Sequence, residues 1–169
     1  KNGELHGIEV INTGDYAEES LALALENNLT IMGTSDIHGL IDWDYVEKGH
    51  DRPITLVFAK ERSEAALKEA LFAGRTVAVF NSLLVGKEEN LMPLLKACIL
   101  IEEARYIDKT SILKVTLKNV SSSDLIFENQ MPYTFYSSSP VFTVPAEGTK
   151  TLQIKTLEEV QSLTLSLKA

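Results

Sequence analysis

The spacing of apolar positions changes character partway along this chain. In Gly7-Ile8-Glu9-Val10-Ile11-Asn12 three of the four central positions are apolar, which predicts a short strand with a glutamate set inside it. A carboxylate in such a run is costly unless it lies at the strand end, finds a partner or meets a metal. Thr13 to Asp15 offer turn and helix-capping chemistry. Ala17, Leu21, Ala24 and Leu25 then recur at helical spacing as far as Asn28, with Glu18, Glu19 and Ser20 toward solvent. Leu29 to Gly33 is the next apolar run. Strand, helix and strand in this order predict a βαβ unit with parallel strands and a right-handed crossover.

Leu40 to Pro53 shows no period and reads as a long irregular connection, either a substrate-facing loop or a solvated one. It holds Asp42, Trp43, Asp44, His50, Asp51 and Arg52. Ile54 to Ala59 is a buried strand by composition. Ser63 is placed to cap a helix with Ala66, Leu67, Ala70 and Leu71 on one face, ending at Gly74, and Thr76 to Phe80 is a further strand. Up to this point β and α alternate, as in a parallel α/β barrel or a doubly wound sheet. Glu88 to Lys96 is helical, with Pro93 expected to shorten or kink it.

Beyond that helix the period becomes two. Leu113, Val115 and Leu117 alternate with Lys114, Thr116 and Lys118, and Leu163, Leu165 and Leu167 with Thr164, Ser166 and Lys168. Between them lie Leu125–Phe127, Tyr133–Phe135, Val141–Val144 and Leu152–Ile154, separated by serine triplets and Glu147-Gly148. Short strands with frequent turns predict a small β-sandwich. The fold class is thus α/β plus all-β, with an α/β part over 1–90 and a sandwich over 98–169.

The 169 residues are 44% hydrophobic and 24% charged, ordinary globular composition. No run of about 18 apolar residues offers a membrane span. A net charge of −8 argues against binding nucleic acid through its phosphates but leaves room for small anions at a metal. The single cysteine, Cys98, cannot form an internal disulfide and is expected to be a buried, inert thiol. The compartment stays open, cytoplasmic or exported. With no initiator Met and no signal pattern, the chain is expected to begin inside a longer gene product.

The chemistry concentrates in Ile31-Met32-Gly33-Thr34-Ser35-Asp36-Ile37-His38-Gly39. Asp-x-His after a buried strand can bring a carboxylate and an imidazole to one ion, a donor pair suited to zinc, manganese or iron rather than calcium. Taken alone the motif is short enough to arise by chance.

Together, Gly-Ile-Glu-Val-Ile-Asn, a helix and Gly-Thr-Ser-Asp-Ile-His-Gly resemble the C-terminal end of the PHP (polymerase and histidinol phosphatase) superfamily of metal-dependent phosphoesterases. The segment Glu64 to Thr76 is similar to the helix and strand that often follow in that family. The resemblance covers Gly7 to Phe80 and implies the C-terminal portion of a (β/α)7 barrel, with the metals at the C-terminal ends of its strands. It implies Asp36 and His38 as metal ligands and catalytic residues, with Glu9, Asn12 and Ser35 beside them. The substrate it implies is a small phosphoester. The His-x-His with which the family begins is absent, and His6, His38 and His50 are the only histidines. The divalent metal is therefore expected only in a complete barrel, and this chain is expected to be inactive alone.

Arg52 and Lys87 are candidates to meet a phosphate, although both read more simply as surface charges, as His6 and His50 do. Trp43 either packs the long loop down or lines a pocket. The sandwich resembles the immunoglobulin-like appendage of some two-domain PHP-type proteins. Its aromatic residues Tyr133, Phe135, Tyr136 and Phe142 are core by spacing or a carbohydrate platform. The competing reading is a non-catalytic binding or structural module. Incomplete parallel edges would also favour cover by a second copy of the chain, by strand exchange or by the sandwich.

Overall fold

A computed structural model of the protein describes residues 3–49 and 51–169. The chain divides into two compact units, Lys1–Leu94 and Leu95–Ala169. In the first, β1 (Gly7–Asn12), α1 (Glu18–Asn27) and β3 (Thr30–Thr34) form the parallel βαβ unit that the spacing predicts. α1 stops because Asn28 turns left-handed (φ 54°), and Leu29 N–H bonds back to the Ala24 carbonyl at 2.8 Å. Val10, Ile11, Ala24, Leu29 and Ile31 are buried together, with Ala78 and Val85 added from later strands.

Thr13 to Asp15 do not cap α1. Thr13 (φ 57°) and Gly14 (φ 114°) make a two-residue hairpin loop into β2 (Asp15–Tyr16), which pairs antiparallel with the end of β1. The helix starts after Ala17, without a side-chain cap. Such a loop needs positive φ at both positions. At Gly14 a Cβ would meet the Phe80 ring at 2.9 Å, which restricts the site further.

The parallel alternation does not continue. β4 (Ile54–Val57), β5 (Thr76–Phe80) and β6 (Leu83–Gly86) form an antiparallel sheet, with Ile54 opposite Val79 and Phe80 opposite Leu83. The excursion between β4 and β5, which contains α3 (Glu64–Phe72), closes on itself instead of crossing over. Phe58 N–H bonds to the Arg75 carbonyl (2.9 Å) and the Arg75 Nε–H to the Phe58 carbonyl (3.1 Å). β5 therefore starts beside the end of β4, not beside its beginning. Ser63 does cap α3, its Oγ accepting from Ala66 N–H at 3.2 Å.

Threonine hydroxyls satisfy the edge of β3. Thr55 Oγ1 accepts from Gly33 N–H (2.9 Å) and donates to its carbonyl (2.8 Å), and Thr76 Oγ1 donates to the Ile31 carbonyl (2.7 Å). The connection expected to be irregular contains α2 (Ile41–Asp44) and a 3₁₀ turn (Val46–Lys48) that ends at Gly49. α4 (Glu88–Cys98) runs past Pro93, and its buried Asn90 Nδ2 donates to the carbonyls of Gly74 and Thr76. Cys98, its last residue, is half-buried and not fully enclosed as expected.

The second unit is two antiparallel sheets. One orders β10 (Thr134–Phe135), β12 (Thr149–Lys155), β8 (Ile112–Asn119) and β7 (Ile99–Tyr106). The other orders β11 (Val141–Val144), β9 (Leu125–Asn129) and β13 (Leu167–Lys168), so the alternation at Leu163 to Leu167 ends in only two residues of strand. Val115, Leu117, Phe127, Phe135, Phe142, Leu152 and Ile154 are buried between pleats of period two. Asn119, wholly buried, closes the first serine turn. Its Nδ2 donates to the Ser123 and Val144 carbonyls, and its Oδ1 accepts from the N–H and Oγ of Ser121. Among the described residues no helix is long and apolar enough to cross a membrane.

Candidate metal site at the ends of β1 and β3

The sequence-predicted residues lie at the C-terminal ends of the two parallel strands. β1 carries one extra residue between Glu9 and Ile11, which face Met32 and Gly33 on β3. In a regular strand Glu9 and Asn12, three apart, would point to opposite faces. The bulge resets the alternation, so Val10 and Ile11 are both buried while Glu9 and Asn12 meet. Asn12 Nδ2 donates to Glu9 Oε2 (2.9 Å), Thr34 Oγ1 donates to Glu9 Oε1 (2.9 Å) and Thr13 Oγ1 donates to Asn12 Oδ1 (2.6 Å). Thr13 N–H also bonds to the Thr34 carbonyl at 3.1 Å. Glu9 is thus an exposed carboxylate with an acceptor bond at each oxygen, which answers how a glutamate is tolerated in an apolar run.

Past Thr34 the chain turns. Asp36 adopts φ 47°, the left-handed region that aspartate tolerates better than most residues. Asp36 Oδ1 lies 3.6 Å from His38 Nε2, and both side chains are exposed, 56% and 88%. Two donors each about 2.0–2.2 Å from one tetrahedral ion stand roughly 3.4 Å apart, so this pair is spaced to share a cation. The oxygen–nitrogen donor set fits zinc, manganese or iron. Among the described residues no three His, Cys, Asp or Glu side chains are grouped to hold an ion by themselves.

Ser35 enters the site through its backbone: its carbonyl accepts a hydrogen bond from the Tyr45 hydroxyl at 3.1 Å. Tyr45, 5% exposed, is what packs the following segment down, whereas Trp43 is 60% exposed. The Asp-x-His spacing gave no sign of Tyr45. Its one sequence signal is an aromatic residue in an otherwise polar stretch, a signal Trp43 shares.

Two other candidates, Lys87 and His6, lie away from this turn. Lys87 Nζ donates to Asn28 Oδ1 (2.6 Å), at the opposite end of β3, so it is not placed to meet a phosphate at Asp36. His6 is at that same end, its ring edge-on to Phe72 with centroids 4.5 Å apart. Arg52 is exposed, and His50 lies outside the described residues. In the second unit Phe135 and Phe142 are core, packed edge to face at 5.6 Å. Tyr136 is exposed beneath the Lys155 ammonium, 5.3 Å from the ring centroid. The carboxyls held below their usual range are elsewhere, Glu69 by the hydrogen bond from Arg75 and Glu103 by those from Lys114 and Arg105.

Residues 99–169 match the family model of an Ig-like domain. No curated protein matches the chain. Among solved structures it is similar to a two-domain protein from Bacteroides vulgatus ATCC 8482 that contains a predicted PHP-like metal-dependent phosphoesterase. The two are 35% identical over 92% of this chain, with a TM-score of 0.81. The chain spans 45% of the length of that protein, so its likeness is to part of a two-domain molecule whose name carries metal-dependent phosphoester chemistry.

Proposed function

We propose that Asp36 and His38 are the carboxylate and imidazole of a divalent-metal centre that hydrolyses small phosphoesters, completed by ligands outside this chain. On this reading β1, α1 and β3 come from the C-terminal portion of a (β/α)7 barrel, and the antiparallel sheet of β4, β5 and β6 follows it. The observation that carries it is the 3.6 Å approach of Asp36 Oδ1 to His38 Nε2 beyond the end of a buried parallel strand. Similarity to a PHP-like phosphoesterase protein supports the same chemistry. Bound there, zinc, manganese or iron would supply an activated water and polarise the phosphoryl oxygen. Asp36 and His38 would hold the ion, and Glu9, Asn12 and Thr34 would keep the strand ends beneath them in register. The site's exposure would let a small phosphoester reach it. The other reading, a non-catalytic module, draws on the Ig-like match and on the pair's having no third His, Cys, Asp or Glu grouped with it among the described residues.

Zinc titration followed by proton NMR of the histidine Cε1–H signals tests the proposal, with His38→Gln assigning the resonance. His38 should respond at lower zinc than His6, and Asp36→Ala should remove that preference. If His38 responds no earlier than His6, the module reading is favoured and the metal centre is not at this turn.

A further inference from the structure

Tyr45 is a buried side chain that reaches the candidate turn from outside the two parallel strands. Resting on the metal-site reading above, we infer that Tyr45 is a positioning residue for Asp36, acting through the Ser35 carbonyl. Asp36 holds a left-handed φ of 47° between two anchors. On the near side Thr34 is tied to β1 through Glu9 Oε1 (2.9 Å) and through Thr13 N–H (3.1 Å). Nothing in that network reaches past Thr34. The next peptide, Ser35–Asp36, is held from the far side by the Tyr45 hydroxyl at 3.1 Å. A peptide plane whose carbonyl is pinned cannot rotate freely, and its rotation is coupled to φ of the residue that follows. Releasing it lets Asp36 relax toward the right-handed or extended regions that cost less for an L residue, and the carboxylate then swings away from His38.

The ring supplies the rigidity this task needs. It is buried, and Tyr45 N–H bonds to the Ile41 carbonyl at 3.2 Å, so the hydroxyl is delivered from a packed helical turn. Partners that orient metal ligands without touching the metal commonly change affinity by about 10- to 100-fold when removed. Tyr45 acts one step further out, through backbone, so the effect expected here is at the low end, about tenfold.

Tyr45→Phe keeps the ring and removes only the hydroxyl. In the zinc titration by NMR it should raise the zinc concentration at half-response of His38 about tenfold while leaving His6 unchanged. Unchanged backbone amide shifts over Ile41–Asp44 would show that the segment stays docked. Trp43→Ala, on the same segment but exposed, should titrate like the unmodified protein. A Tyr45→Phe protein with unaltered His38 response overturns the inference while leaving the Asp36–His38 site intact. So does a loss of affinity matched by Trp43→Ala. Absence of any preferential His38 response in the unmodified protein overturns the metal-site reading and this inference with it.

Discussion

Asn12 Nδ2 donates to Glu9 Oε2 at 2.9 Å although the two residues are three apart on one strand, and only the extra residue in β1 allows it. Thr34 Oγ1 meets the other carboxylate oxygen, so one side chain joins the ends of two parallel strands. Glu9→Ala should cost about 1 kcal/mol, since the bonds are charge-assisted but exposed. Thr34→Val should cost less, and the double variant less than the sum, with a coupling of roughly 0.5 kcal/mol or more. Urea unfolding followed by circular dichroism measures all three, and strict additivity would show that the pair is not coupled.

Gly33 lies where β3 meets the second sheet. A Cβ there would stand 3.0 Å from the Ile54 carbonyl oxygen and 3.1 Å from Ala78 Cβ. Gly33→Ala should destabilise the first unit by about 1–3 kcal/mol through overpacking. Thr76→Val, nearly isosteric and fully buried, leaves the Ile31 carbonyl without its donor and should cost about 1–2 kcal/mol. Chemical denaturation is the appropriate measurement for both.

Asn119 is the polar centre of the second unit. Replacing it with alanine strips four hydrogen bonds from a buried turn, and about 3 kcal/mol of stability should be lost. Thermal unfolding by circular dichroism should show a clearly lower transition for Asn119→Ala. A shift no larger than that of a surface substitution would mean that water replaces those partners.

Acid sensitivity should be traceable to Glu69. The hydrogen bond from Arg75 holds its carboxyl below the usual carboxylate range. A carboxyl lowered in the folded state adds stability above its unfolded pKa, and that stability is lost as pH falls through the folded value. Glu69→Gln should therefore lose less stability than the unmodified protein between pH ~5 and pH ~2.5. Glu103, held low by Lys114 and Arg105, predicts the same direction for Glu103→Gln in the second unit. Stability measured across that range checks both, and parallel acid limbs would count against them.

Several elements were legible from residues alone because their causes are local. The apolar spacing of α1, the Ser63 cap and the alternation of Leu113, Val115 and Leu117 all follow from side-chain directions that the backbone repeats every few residues. Asp36 and His38 were legible as candidates from residue type and spacing, but their 3.6 Å approach is made by a turn beyond β3 and not by strand periodicity. The left-handed Asp36, the bulge that turns Glu9 toward Asn12 and the hydroxyl of Tyr45 on Ser35 were not. Nor was the antiparallel return of β5 beside β4, which depends on Phe58 and Arg75 finding each other across 17 positions. Local periodicity fixes which face a residue presents. Which strand lies alongside it, and in which direction, is decided by contacts distant in sequence, and the candidate site is built where those contacts converge.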